Sequence, residues 1–184
     1  MSFKDRLRIR TAALGVAGLL ALGAPLALPA TTAAAADGIV SCPLGTQSTT
    51  YTPGLTFATP PPQVDLEVTG TLGLCVSTDL NHTAGTYDFT GSGNLNCLTG
   101  SSAGVGRITW ANPGTQPSVF TQSYSVALRP NGTTVLVSTG PIVSGDFAGH
   151  TLVITIVLTS TDLLACATPQ GMTNTAGPFL VTIL

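Results

Sequence analysis

Charge is what this sequence has least of. Only 8% of its 184 residues are Asp, Glu, Lys or Arg. From Asp37 onward two basic residues, Arg107 and Arg129, stand against seven acidic ones, a formal net charge of −5. Neutralising a run of phosphates takes several cations, so this excludes DNA and RNA as partners. A polybasic membrane patch is excluded on the same ground. Helical periodicity is missing too: no segment holds a 3.6-residue apolar repeat over three turns. Cysteine is limited to Cys42, Cys75, Cys97 and Cys166, with no C-x-x-C pair, and only His82 and His150 are present to help hold a metal. That spacing gives no metal site, and no motif calls for a cofactor.

What is present begins with an export signal. Lys4, Arg6, Arg8 and Arg10 form a basic start, Thr11 to Leu28 is uncharged and apolar, and small residues lead to Ala34-Ala35-Ala36. Signal peptidase accepts small side chains in its narrow pocket, which places the cut after Ala36. Residues 1–36 are therefore read as a signal peptide and 37–184 as a single secreted domain, about 148 residues long. No membrane association is expected after cleavage. Ile39-Val40-Ser41-Cys42 formally matches a lipoprotein box, but a dozen residues separate it from the apolar run, and acylating Cys42 would leave an odd number of cysteines. In an exported chain four cysteines read as two disulfides. Three connectivities exist; pairing neighbours in sequential strand order favours Cys42–Cys75 with Cys97–Cys166.

The mature part is rich in Thr and Ser, 39 residues in all, and reads as strands throughout. Val64, Leu66 and Val68 alternate with Asp65, Glu67 and Thr69, a half-buried strand. Leu152, Ile154, Ile156 and Leu158 mark another, with Val153 and Val157 making its second face apolar. Turns are signalled by Pro60-Pro61-Pro62, Asn112-Pro113-Gly114, Pro130-Asn131-Gly132 and Gly145-Asp146-Phe147-Ala148-Gly149. The pattern predicts about eight strands, near 39–51, 63–77, 84–98, 104–111, 117–129, 133–144, 149–160 and 178–184. Several carry internal glycines, where a long strand bends. The expected fold is all-β: an antiparallel meander closing into a barrel, with a two-sheet Greek-key sandwich as the alternative.

Several segments also carry a resemblance. Ser41-Cys42-Pro43-Leu44-Gly45-Thr46, Thr90-Gly91-Ser92-Gly93 through Cys97, Gly106-Arg107-Ile108-Thr109-Trp110, Gly145 to Gly149 and Asp162-Leu163-Leu164-Ala165-Cys166 resemble small exported proteins of actinobacteria, over the whole mature length. That family has no established activity, so the resemblance implies a compartment and a class of host and transfers no site residues.

Catalytic signals are thin. Gly100-Ser101-Ser102-Ala103-Gly104 matches the G-x-S-x-G nucleophile elbow, which needs a strand-turn-helix to hold its serine. Val105 to Trp110 reads as a strand instead, so the stretch is expected to be a loop. Asp65 with Glu67, or Asp88 with Asp146, are the carboxylate pairs open to glycosidase chemistry; a solvated face and turn capping explain them more simply, as turn capping does for Asp79 and Asp162. Asp79, Asn81 and Asp88 match no calcium loop. His82 and His150 are expected at the surface. Trp110, Tyr87 and Tyr124, with Tyr51, are the candidate ligand-binding residues, because apolar sugar faces pack on aromatic rings; core packing competes, since Trp110 alternates with Ile108. The sequons at Asn81 and Asn131 matter only in a glycosylating host.

No catalytic residue is assigned. The expectation is a non-enzymatic exported protein, structural or interaction-type, of the cell envelope or medium. Its alternative is a binding module for a carbohydrate or small ligand, and a hydrolase or hydrolase inhibitor comes third. Cell-wall polysaccharide and another protein are the partner classes left open. An exposed aromatic strip would favour sugar binding, a lined cavity a small ligand, and a rigid loop around Thr99–Val105 inhibition.

Overall fold

The computed structural model describes residues 39–127, 134–158 and 164–184. The export signal, Asp37, Arg129, the Pro130-Asn131-Gly132 turn and Asp162 lie outside the described residues. The strands are β1 (Val40–Leu55), β2 (Gln63–Gly73), β3 (Val76–Ser77), β4 (Gly85–Leu95), β5 (Thr99–Trp110), β6 (Ser118–Ala127), β7 (Thr134–Ser144), β8 (Thr151–Leu158) and β9 (Met172–Ile183). Every pairing is antiparallel, and, the short β3 aside, strands consecutive in sequence are neighbours in the sheet. β1 pairs on one side with β2 (Thr49↔Val68) and on the other with β9 (Thr49↔Thr175). Eight strands thus close into an up-and-down barrel, and the sandwich alternative falls. The segment read as one strand over 63–77 breaks at Leu74, whose φ is +51°. Its continuation β3 pairs with the start of β1 (Val40↔Ser77, Ser41↔Val76) as an extra strand.

Alternation sorts the side chains. Val64, Leu66, Val68 and Leu72 of β2, Leu152, Ile154 and Ile156 of β8, and Phe179, Val181 and Ile183 of β9 face inward and are buried. Asp65, Glu67 and Thr69 face out. The inward positions of several other strands are glycines, and the space above them is filled by rings. Phe89 lies over Gly91 on its own strand and over Gly104 across the ladder, so a β-carbon at either would stand 2.8 or 2.7 Å from the ring. Phe120 covers Gly106, its register partner. Phe179 covers Gly45, where a β-carbon would stand 2.6 Å from the ring, and Gly70 beyond it. A glycine opposite an aromatic ring lets the ring lie on bare backbone and the sheet curl tightly. The rings form a column: Tyr87 stacks on Phe120 at 5.6 Å and meets Phe179 at 5.3 Å, and Phe89 meets Tyr124 at 5.3 Å.

The stretch expected to be a loop, Gly100 to Gly104, is the first half of β5. Gly100, Ser102, Gly104 and Gly106 are its inward positions, and small residues are needed there to make room for Phe89 and Phe120.

Each barrel end is tied by one disulfide. Cys42–Cys75 joins β1 to the kink between β2 and β3, at the end carrying loops 74–84, 111–117 and 145–150. Cys97–Cys166 ties the β4–β5 turn to the 3-10 turn Ala165–Ala167 at the other end. The chosen connectivity is the one present, and two such bonds place the fold in an oxidising compartment.

Two predictions follow from this packing. The bridges close spans of 33 and 69 residues, which restricts the unfolded chain by about 4 kcal/mol each. Reducing both should lower Tm by about 10 °C or more in a thermal scan; an unchanged Tm would show that they brace nothing. Gly106→Ala should cost about 1–3 kcal/mol in denaturant unfolding, because the new methyl meets the Phe120 ring. Ser101→Ala, on the exposed face of the same strand, should change stability by less than about 0.5 kcal/mol.

Candidate functional site

The histidine expected at the surface is a plug. His82 is 1% exposed and sits in the end closed by Cys42–Cys75, its ring edge-on to Trp110 at 4.8 Å and to Phe147 at 4.6 Å. Loop 145–150 makes this possible: Gly145, Phe147 and Gly149 all have positive φ, which turns the Phe147 side chain into the barrel mouth. His82 Nε2 donates to Asp146 Oδ2 at 2.9 Å, and the Gln116 backbone N–H donates to the same oxygen at 2.9 Å. Trp110 Nε1 donates to Ser118 Oγ, which donates to the Asp146 carbonyl. Asp79 Oδ2 lies 3.3 Å from His82 Nδ1, outside hydrogen-bonding geometry. The network therefore pins three loops together under aromatic cover.

Asp146 is buried, but against a histidine and not beside Asp88, which lies exposed on the outer face of β4. Asp65 and Glu67 are likewise exposed on β2. Asp79 Oδ1 accepts from the Asn81 backbone and side chain, the turn capping expected of it. Ser102 points into the barrel opposite Tyr124, on a strand with no elbow. It lies toward the Cys97–Cys166 end, whereas His82 and His150 belong to loops of the opposite end. His150 sits at the rim, Nδ1 3.1 Å from the Leu184 carbonyl.

Trp110, Tyr87 and Tyr124 are all buried inside the barrel, so none offers a ring face to a passing sugar. Their surroundings explain this. Trp110 is held by Ser118, Tyr87 and Tyr124 bond to each other at 3.0 Å, and Tyr124 donates to Gln122 Oε1 at 2.7 Å. Tyr51 bonds to Thr175 at 3.1 Å.

The feature the sequence did not flag is on the outer wall. Asp88, Thr90, Val105, Arg107 and Val119 line an open groove of about 320 Å³ whose floor is Phe89 and Gly106. Asp88 faces Arg107 across the β4–β5 ladder, and Val119 faces Arg107 across β5–β6. Arg107 is the sole Lys or Arg among the described residues. Among the described residues it closes no ion pair with Asp88. A guanidinium and a carboxylate thus stand exposed side by side between two valines. The signal available in sequence was Arg107, one of only two basic residues after Asp37.

Among the described residues no helix is long and apolar enough to cross a membrane. Comparisons with protein-family models, with curated proteins and with solved structures find no match to the chain.

The tyrosines supply a test of this interior. Burial raises all three above the usual 10.0: Tyr51 against the opposing pull of Thr175 and Thr49, Tyr87 well above with Tyr124 adding to the effect, and Tyr124 to about 12 with its bond to Tyr87 opposing. The native state then holds protons that the unfolded chain releases near pH 10, so stability is complete below that value and falls as pH climbs toward 12. Absorbance near 295 nm should show no tyrosinate in the native protein at about pH 10.5, with ionisation and loss of structure arriving in one step. Free titration of any tyrosine with the fold intact would contradict the placement.

Proposed function

We propose that this is an exported, non-enzymatic interaction protein of the cell envelope or medium, and that it works from its outer wall. Export is supported by the basic start, the apolar run and Ala34-Ala35-Ala36, together with two disulfides. The interaction reading rests on one observation: the Asp88–Arg107 groove, where the sole described Lys or Arg stands exposed across the ladder from a carboxylate with which it closes no ion pair. A histidine and an aspartate committed to plugging the barrel leave no accessible acid–base pair beside it.

The alternative of a carbohydrate-binding module gains support from the same groove and loses it from the aromatic rings. Neighbouring sugar hydroxyls suit a carboxylate acceptor and a guanidinium donor placed together, and Val105 and Val119 suit the C–H face of a pyranose. The test is retention of the purified mature protein on defined wall polysaccharides and on the host's exported proteins. Arg107→Ala and Asp88→Ala should each weaken retention about tenfold, or 1.4 kcal/mol, with Tm unchanged. Retention unaffected by both substitutions would overturn the groove as the contact; retention confined to one polysaccharide would select the carbohydrate reading.

A further inference from the structure

A second feature lies inside the barrel, independent of the outer wall. Two glutamines, Gln47 of β1 and Gln122 of β6, point inward and are each only 4% exposed. Their carbonyl oxygens are occupied: Thr49 Oγ1 donates to Gln47 Oε1 at 2.8 Å, and Tyr124 OH donates to Gln122 Oε1 at 2.7 Å. Their amide nitrogens have no hydrogen-bond partner. Each Nε2 carries two donors, and a buried donor without an acceptor is a cost that folded proteins rarely leave standing. Turning either amide over does not remove it. The nitrogen would then meet a hydroxyl, but the oxygen would be left bare in its place.

The two amides belong to one connected interior. Gln47 is the register partner of Gly70, on which Phe179 rests; Phe179 meets Tyr87, Tyr87 bonds Tyr124, and Tyr124 bonds Gln122. The polar groups along this path are amides and hydroxyls only. A charged occupant would have no counter-charge there and would face the full penalty of burial. The requirement is therefore for a neutral oxygen that accepts from N–H.

We propose that the barrel interior binds neutral oxygen at Gln47 Nε2 and Gln122 Nε2, as ordered water or as a small uncharged carbonyl- or hydroxyl-bearing molecule. Water bridging otherwise unsatisfied buried groups is a regular part of folded structures, and a small organic molecule would offer the same acceptors.

A crystal structure of the purified protein at about 1.5 Å or better decides this. Density within hydrogen-bonding distance of both nitrogens is the expected result. Native mass spectrometry of the same sample separates the sources: retained excess mass identifies an organic occupant, and the bare chain mass identifies water. The double variant Gln47→Met/Gln122→Met keeps the length of both side chains and removes the donors, together with the acceptors of Thr49 Oγ1 and Tyr124 OH. It should lose that density and melt about 5 °C or more below the wild type. Empty space at both nitrogens, or a variant that melts higher because idle donors have been removed, would overturn the proposal.

Discussion

The contact on which this barrel depends is a phenylalanine ring packed against glycine backbone. Phe89 on Gly91 and Gly104, Phe120 on Gly106 and Phe179 on Gly45 and Gly70 occur on successive parts of the wall. Each lets a large apolar group occupy volume that two ordinary side chains would contest. A chain with so few aromatic residues thereby fills the centre of a closed sheet, and the sheet bends at the same places. Closure, curvature and core come from one device.

The rest of the chain is arranged around that core. Polar contacts inside join parts of the chain distant in sequence, Tyr87 with Tyr124 and Tyr51 with Thr175, besides the closer Trp110 with Ser118. The ends are held by one disulfide each, and at one of them by the His82–Asp146 plug under Trp110 and Phe147. With long-lived covalent and aromatic bracing, charge has little structural work, and the described surface can remain almost neutral. Arg107 is conspicuous for that reason.

Much of the fold was legible and much of the site was not, for the same physical cause. Val64-x-Leu66-x-Val68 and Leu152-x-Ile154-x-Ile156 announce their buried faces by alternation, since each fills its own place in the core. The order of strands and the sequential disulfides followed from short turns. The first half of β5 hid, because its inward residues Gly100, Ser102 and Gly104 leave room that neighbouring strands fill and show no apolar period of their own. His82 looked solvent-facing because it sits among Asp79, Asn81 and Thr83; only Phe147, brought over from a loop far along the chain, makes its place a buried one. Trp110, Tyr87 and Tyr124 were ambiguous in a list of residue types, and register against Ser118, Phe120 and Gln122 decided them. The outer groove depends on cross-strand placement of Asp88 and Arg107, which no local window contains.

The seam of the barrel has a consequence in time. β1 is flanked by β2, which follows it directly, and by β9, whose Ile183 pairs with Val40. A chain delivered through a pore from its N-terminus would present β1 and β2 early, with one edge of β1 unsatisfied until nearly everything else had passed. Such an edge invites pairing with other chains while it waits. The outward face of β1 there, Thr46, Ser48 and Thr50, is polar, and β3 with Cys75 holds its first residues on the β2 side; the opposite edge is the one that only the last strand of the chain can close.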